Sequence, residues 1–123
     1  MVLDPASALE DVVKTGADRI LTSGGAASAE QGADRLAPLV RASAGRIVIM
    51  ACGAIRATNV AEVLKKTGAR EIHSARATPV ASPMRFRHEL ATSGSVGGAG
   101  DQRFVVGPQT VAAVLAAAAK ATP

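Results

Sequence analysis

A helix-like run that closes on Lys-Thr-Gly-Ala and leads into an apolar strand occurs twice in this chain. Val13-Lys14-Thr15-Gly16-Ala17-Asp18-Arg19-Ile20 is answered 52 positions later by Leu64-Lys65-Lys66-Thr67-Gly68-Ala69-Arg70-Glu71-Ile72. A third strand-like run, Gly45-Arg46-Ile47-Val48-Ile49-Met50, falls near the midpoint. A repeat of about 26 residues is the length of one βα unit, and successive units of this kind build a parallel sheet wound by helices. Such sheets gather their chemistry at the carboxyl ends of the strands. The expected fold class is therefore α/β, with three parallel strands and their helices plus a C-terminal helix. Ile20, Ile47 and Ile72 should lie side by side in one co-directional layer.

The local signals place the elements. Asp4 before Pro5 pairs an N-cap acceptor with proline at the first helical position. Leu9, Val12 and Val13 make the buried stripe of that helix, and Gly16 ends it. Arg19–Thr22 is the first strand. Ser28 with Gln31 three residues on reads as a capping box opening the next helix. Leu36, Leu39 and Val40 should face the sheet, and Pro38 should kink or split that helix. Arg46–Met50 is the second strand, apolar enough to suggest cover on both faces. Asn59 and Glu62 should cap a helix carrying Val60, Val63 and Leu64, and Arg70–Ser74 is the third strand. The rhythm then stops. Ala75–Pro83 holds two prolines, Phe104-Val105-Val106 is a short apolar stop, and Pro108 opens a last helix with Val111, Val114, Leu115 and Ala118 on one side. The glycine- and serine-rich stretch of about 92–101 is expected to be mobile.

Composition narrows the function classes. The chain has 123 residues, enough for a single domain spanning 1–123. It contains no Trp or Tyr and only Phe86 and Phe104 as aromatics, which removes base-stacking platforms and aromatic cages. Its net charge of +4 is spread along the chain rather than clustered, so no nucleic-acid partner is expected. Cys52 is the single cysteine, so no intrachain disulfide forms, and no leader or membrane-spanning run is apparent. The expected location is the cytoplasm.

Each strand ends in small polar residues. Thr22, Ser23 and Gly24 follow the first, Cys52 and Gly53 the second, His73 and Ser74 the third. Turns of this kind let backbone amides approach a phosphate or carboxylate, although tight βα turns need small residues whatever they bind. His73 is a candidate acid, base or metal ligand, or else a histidine satisfied at the edge of the core. Ser74 as a nucleophile lacks an identifiable orienting acid. Cys52 is either a solvent-facing thiol or a small buried hydrophobe. Copper(I) favours several soft ligands, and Met50, beside Cys52 on an alternating strand, is expected to point the other way. No metal ligand set is therefore assigned. Arg85 and Arg87, flanking Phe86, could reach an anion or serve as solvated loop residues.

Taken in order, Arg19-Ile-Leu-Thr-Ser-Gly24, Ile49-Met50-Ala51 with its small-residue turn and Asn59, Glu71-Ile-His-Ser74, and Ala81-Ser-Pro-Met-Arg-Phe-Arg87 resemble the carboxyl half of the CutC family, known as copper homeostasis proteins. The resemblance implies a partial TIM-type (β/α)8 barrel holding the sixth to eighth strands, in a truncated form beginning just past the fifth. It also implies copper as a ligand, in the cytoplasm. It places Thr22, Ser23, Gly24, Cys52, Gly53, His73 and Ser74 at the barrel mouth, with Arg85 and Arg87 from the following loop. Ala54 stands where the family pattern leads one to expect glycine. The other readings are a remnant of a TIM-barrel enzyme that binds a small phosphorylated or carboxylated ligand, and an interaction module with no catalytic role. Three strands cannot close a barrel, so the expected outcomes are a truncated gene product, self-association through the open sheet edges into a composite barrel, or a poorly stable monomer.

Overall fold

A computed structural model of the chain describes residues 4–75, 77–81, 83 and 102–121. Arg85, Arg87 and the 92–101 stretch lie outside the described residues. The chain runs through α1 (Pro5–Thr15), β1 (Arg19–Thr22), α2 (Ala33–Ser43), β2 (Val48–Ala51), α3 (Val60–Thr67), β3 (Glu71–Ile72), β4 (Thr78–Ala81), β5 (Gln102–Val105) and α4 (Pro108–Ala119). The first three strands form one sheet in the order β1-β2-β3, and both pairings are parallel.

Local chemistry sets the helix ends. The Asp4 carboxylate accepts from the Ala6 amide at 3.2 Å, and Pro5 follows at the first helical position. Gly16 and Gly68 stop α1 and α3 in the left-handed conformation at φ 82° and 74°. The Ser28 hydroxyl accepts from the Gln31 amide at 3.2 Å, but it caps a separate turn, because α2 starts only at Ala33. Gly32 stands between the two. A Cβ there would collide with the Ser23 carbonyl, so only glycine lets the loop after β1 press against this turn. Pro38 neither splits nor ends α2, which runs unbroken through it. Its ring lies on an exposed face.

Register decides which side chains share a face. Ile20 pairs with Ile49 rather than with the expected Ile47, which falls before β2, while Thr22 pairs with Ala51 and Ala51 with Ile72. These residues point to the side where Leu9, Leu36, Val60 and Val63 close the core. The other side carries Arg19, Leu21, Val48, Met50 and Glu71. Direct contact confirms that assignment: Arg19 on β1 reaches across β2 to Glu71 on β3 with a two-point ion pair of 2.6 and 3.1 Å. Cover of β2 on both faces does not materialise. Ile49 and Ala51 are buried, Val48 and Met50 only half-buried, and Leu21 on β1 is 55% exposed. Among the described residues no layer packs on this open face.

Four further expectations shift. β2 begins at Val48 rather than Arg46. The Arg46 guanidinium turns back instead to clamp Glu10 of α1 at 2.7 and 2.9 Å and to cap the Ala42 carbonyl of α2. β3 is shorter than expected, covering Glu71–Ile72 only. The stretch after β3 forms strand β4, which pairs antiparallel with β5 around Phe104. Pro79 masked it in the sequence, since proline suits only edge strands, and in a two-stranded ribbon both strands are edges. On α4 the buried face is Val114 with Ala117 and Ala118, while Val111 and Leu115 are 46% and 64% exposed.

Candidate functional site

The carboxyl ends of β1, β2 and β3 open on the same side because all three strands run the same way. The ladder continues one residue past the strands: the Cys52 amide donates to the Thr22 carbonyl at 3.1 Å, and the His73 amide to the Ala51 carbonyl at 2.9 Å. The expected strand-end residues are thus held at one level of the sheet, and the structure divides them by direction.

Thr22 and Ser74 lie on the helix side and build the loops. The Thr22 hydroxyl accepts from the Gly24 amide at 3.0 Å. The Ser74 hydroxyl donates to the Ile55 carbonyl at 2.7 Å, tying the end of β3 to the β2–α3 loop. A serine so engaged, with no base against it, is a structural tie rather than a nucleophile. The Ser23 hydroxyl likewise donates within its own loop, to the Ala26 carbonyl at 2.7 Å. Gly24 is buried and Gly53 half-buried, and both are wedged between loops. A Cβ on Gly24 would meet the Gly32 carbonyl at 2.7 Å, and one on Gly53 would meet the Ser28 backbone at 3.1 Å. The Gly53 carbonyl in turn accepts from the Ala29 amide at 3.0 Å. These two glycines knit the β1 and β2 turns together.

Asn59 has a larger part than a helix cap. Its side chain makes no capping bond to α3. Buried, it accepts from the Arg56 amide at 2.9 Å and donates to the Ala54 carbonyl at 2.9 Å and to the Glu30 carboxylate at 3.5 Å. One amide side chain therefore fixes the turn after β2 and ties it to the turn before α2. Within that turn Ala54 adopts φ 53°, a left-handed conformation that glycine takes at no steric cost.

Cys52 and His73 lie on the open face. They are register neighbours, one step beyond Ala51 and Ile72. Met50 sits two residues before Cys52, and strand alternation returns every second side chain to the same face. Met50 therefore shares the Cys52 side rather than pointing away from it. The signal was in the sequence and needed only the count from 50 to 52. Burial pushes the half-buried Cys52 thiol up, so the unliganded sulfur is held as the thiol. Glu71, the register partner of Met50, is occupied: the Arg19 guanidinium holds its carboxyl below the usual carboxylate range. Among the described residues no three His, Cys, Asp or Glu side chains gather in a metal-sized group.

At the opposite strand ends a cleft of about 390 Å³ is lined by Gly16, Asp18, Arg19, Arg46 and their neighbours. Both of its arginines are already paired, with Glu71 and Glu10. No described helix is long and apolar enough to cross a membrane.

The chain resembles known proteins along nearly all its length. It is 40% identical over 121 residues to the family protein CutC of Mesorhizobium japonicum, covering 98% of this chain and 47% of that one. It is 42% identical over 104 residues to the family protein CutC of Vibrio cholerae, covering 85% of this chain and 40% of that one. The chain thus spans less than half the length of these relatives. A solved structure of CutC from Streptococcus agalactiae, a protein named for copper homeostasis, superposes with a TM-score of 0.54 at 26% identity. It matches 58% of this chain and 35% of that one. The parallel layer is accordingly part of a TIM-type (β/α)8 barrel, present without closure. With the CutC family model matching residues 1–78 as well, the chain belongs to the CutC family.

Proposed function

We propose that this chain is a partial barrel of the copper homeostasis type that takes copper(I) as its cargo at the carboxyl ends of its strands. The observation that carries the reading is the placement of Met50, Cys52 and His73 on one uncovered face, at the strand ends where barrels of this type do their chemistry. Thioether and thiolate donors favour copper(I) over harder cations, and imidazole is a ready copper ligand. The hydroxyls that an anion-binding reading would use at Ser23 and Ser74 are spent on carbonyls within the loops.

The test is a copper(I) titration of the whole chain, without oxygen, against a chromogenic chelator. A stoichiometric withdrawal of copper(I) from the chelator is the expected result. Stabilisation by inorganic phosphate or sugar phosphates in a thermal-shift series, with no copper(I) uptake, would favour instead a remnant enzyme binding a small phosphorylated or carboxylated ligand.

A further inference from the structure

Building on the copper(I) reading, we infer that Met50 Sδ, Cys52 Sγ and one ring nitrogen of His73 form a three-donor copper(I) site on the open face of the β1-β2-β3 layer. Three lines of argument converge on it. The first is the face itself. The Arg19–Glu71 ion pair crosses β2 and marks which side of the layer both residues occupy. Met50 is the register partner of Glu71, which puts it on that side, and two residues further along each strand come Cys52 and His73.

The second is reach. Neighbouring strands are about 4.8 Å apart and alternate residues along a strand about 6.6 Å apart. Cys52 and His73 face each other across the first distance, and Met50 and Cys52 along the second. A sulfur and an imidazole on adjacent strands can meet on one ion, and the unbranched methionine side chain can extend to the same point.

The third is selection among metals. The carboxylate on this face, Glu71, has both oxygens bound by Arg19, and the hydroxyl of Ser23, the register neighbour of Cys52, donates to the Ala26 carbonyl. What remains is two sulfurs and one nitrogen. Structural zinc sites take four ligands from cysteine, histidine and carboxylate, not thioether. Calcium and magnesium require oxygen. Copper(I) suits the set. Met50 and Cys52 are half-buried and His73 is exposed, so an ion can enter from the mouth while the sulfurs stay partly shielded.

The deciding experiment compares the whole chain with Met50→Leu, Cys52→Ser and His73→Gln, each checked for folding by circular dichroism. We expect each variant to bind copper(I) at least about tenfold more weakly, since even an outer-shell change costs about that much. X-ray absorption of the loaded wild type should show sulfur and nitrogen scatterers together. A second measurement needs no variant: silver(I), a redox-silent stand-in, should shift the methyl resonance of Met50. If wild type binds copper(I) while Met50→Leu and His73→Gln bind as tightly, this donor set is wrong and the cargo reading survives. If the Met50 methyl stays unmoved at saturating silver(I), the donor set is also wrong. If wild type takes up no copper(I), both the cargo reading and the site fall.

Discussion

At the scale of single residues, the turn after β2 departs from the most comfortable backbone. Ala54 is held at φ 53° in a region where a Cβ crowds the following carbonyl. The Asn59 side chain, bonded to the Ala54 carbonyl and the Arg56 amide, keeps it there. Replacing Ala54 by glycine removes the crowding and gives back part of the gain as unfolded-chain entropy. Ala54→Gly is therefore expected to raise stability by about 0.5 to 1 kcal/mol, read as a higher urea midpoint at unchanged slope. A lower midpoint would show that the methyl group packs usefully in the turn. The missing glycine was legible in the sequence. The reason the loop tolerates its absence was not, because Asn59 reads as an ordinary cap until its partners are known.

At the scale of elements, α2 contains the clearest conflict between local preference and the fold. Pro38 has no amide to give to the carbonyl one turn back, yet the helix continues to Ser43. Packing outweighs the defect: Leu36, before the proline, is fully buried, and Leu39 and Val40, after it, lean on the core. A helix anchored this way survives a penalty that would end an isolated one. Because the ring is exposed, Pro38→Ala should restore the missing hydrogen bond without opening a cavity. The expected gain is about 2 kcal/mol, the interior-proline penalty less the entropy it removed from the unfolded chain. Thermal unfolding of the two chains checks it, and an unchanged melting temperature would mean the helix gains nothing there. In α1 capping and periodicity read correctly from Asp4 to Gly16. The β4–β5 ribbon did not, since its pairing joins segments too far apart for local pattern to reveal.

At the scale of the whole molecule, the sheet is open on one face and at its edges. Leu21 is 55% exposed and Met50 half-buried on a surface that would face the interior of a closed barrel. The outer edge of β1 has no strand partner among the described residues. Uncovered edges and apolar faces invite pairing with another chain. Light scattering coupled to size exclusion is expected to give a mass above that of one chain, rising with concentration. A constant monomer mass with a single cooperative melt would show that the layer stands alone.

The sequence by itself determined the βα rhythm, the start of α1 at Asp4 and the stops at Gly16 and Gly68, the existence of the three strands and the small residues at their tips. All of these depend on neighbours within a turn or two along the chain. It also contained the shared face of Met50 and Cys52, because alternation is a local rule. Only the tertiary structure decided that His73 stands beside Cys52, that Arg19 takes Glu71 out of reach, and that one side of the layer lies open. Those facts follow from the register between strands more than twenty residues apart and from which surfaces find something to pack against. Neither is encoded in any short stretch of the chain.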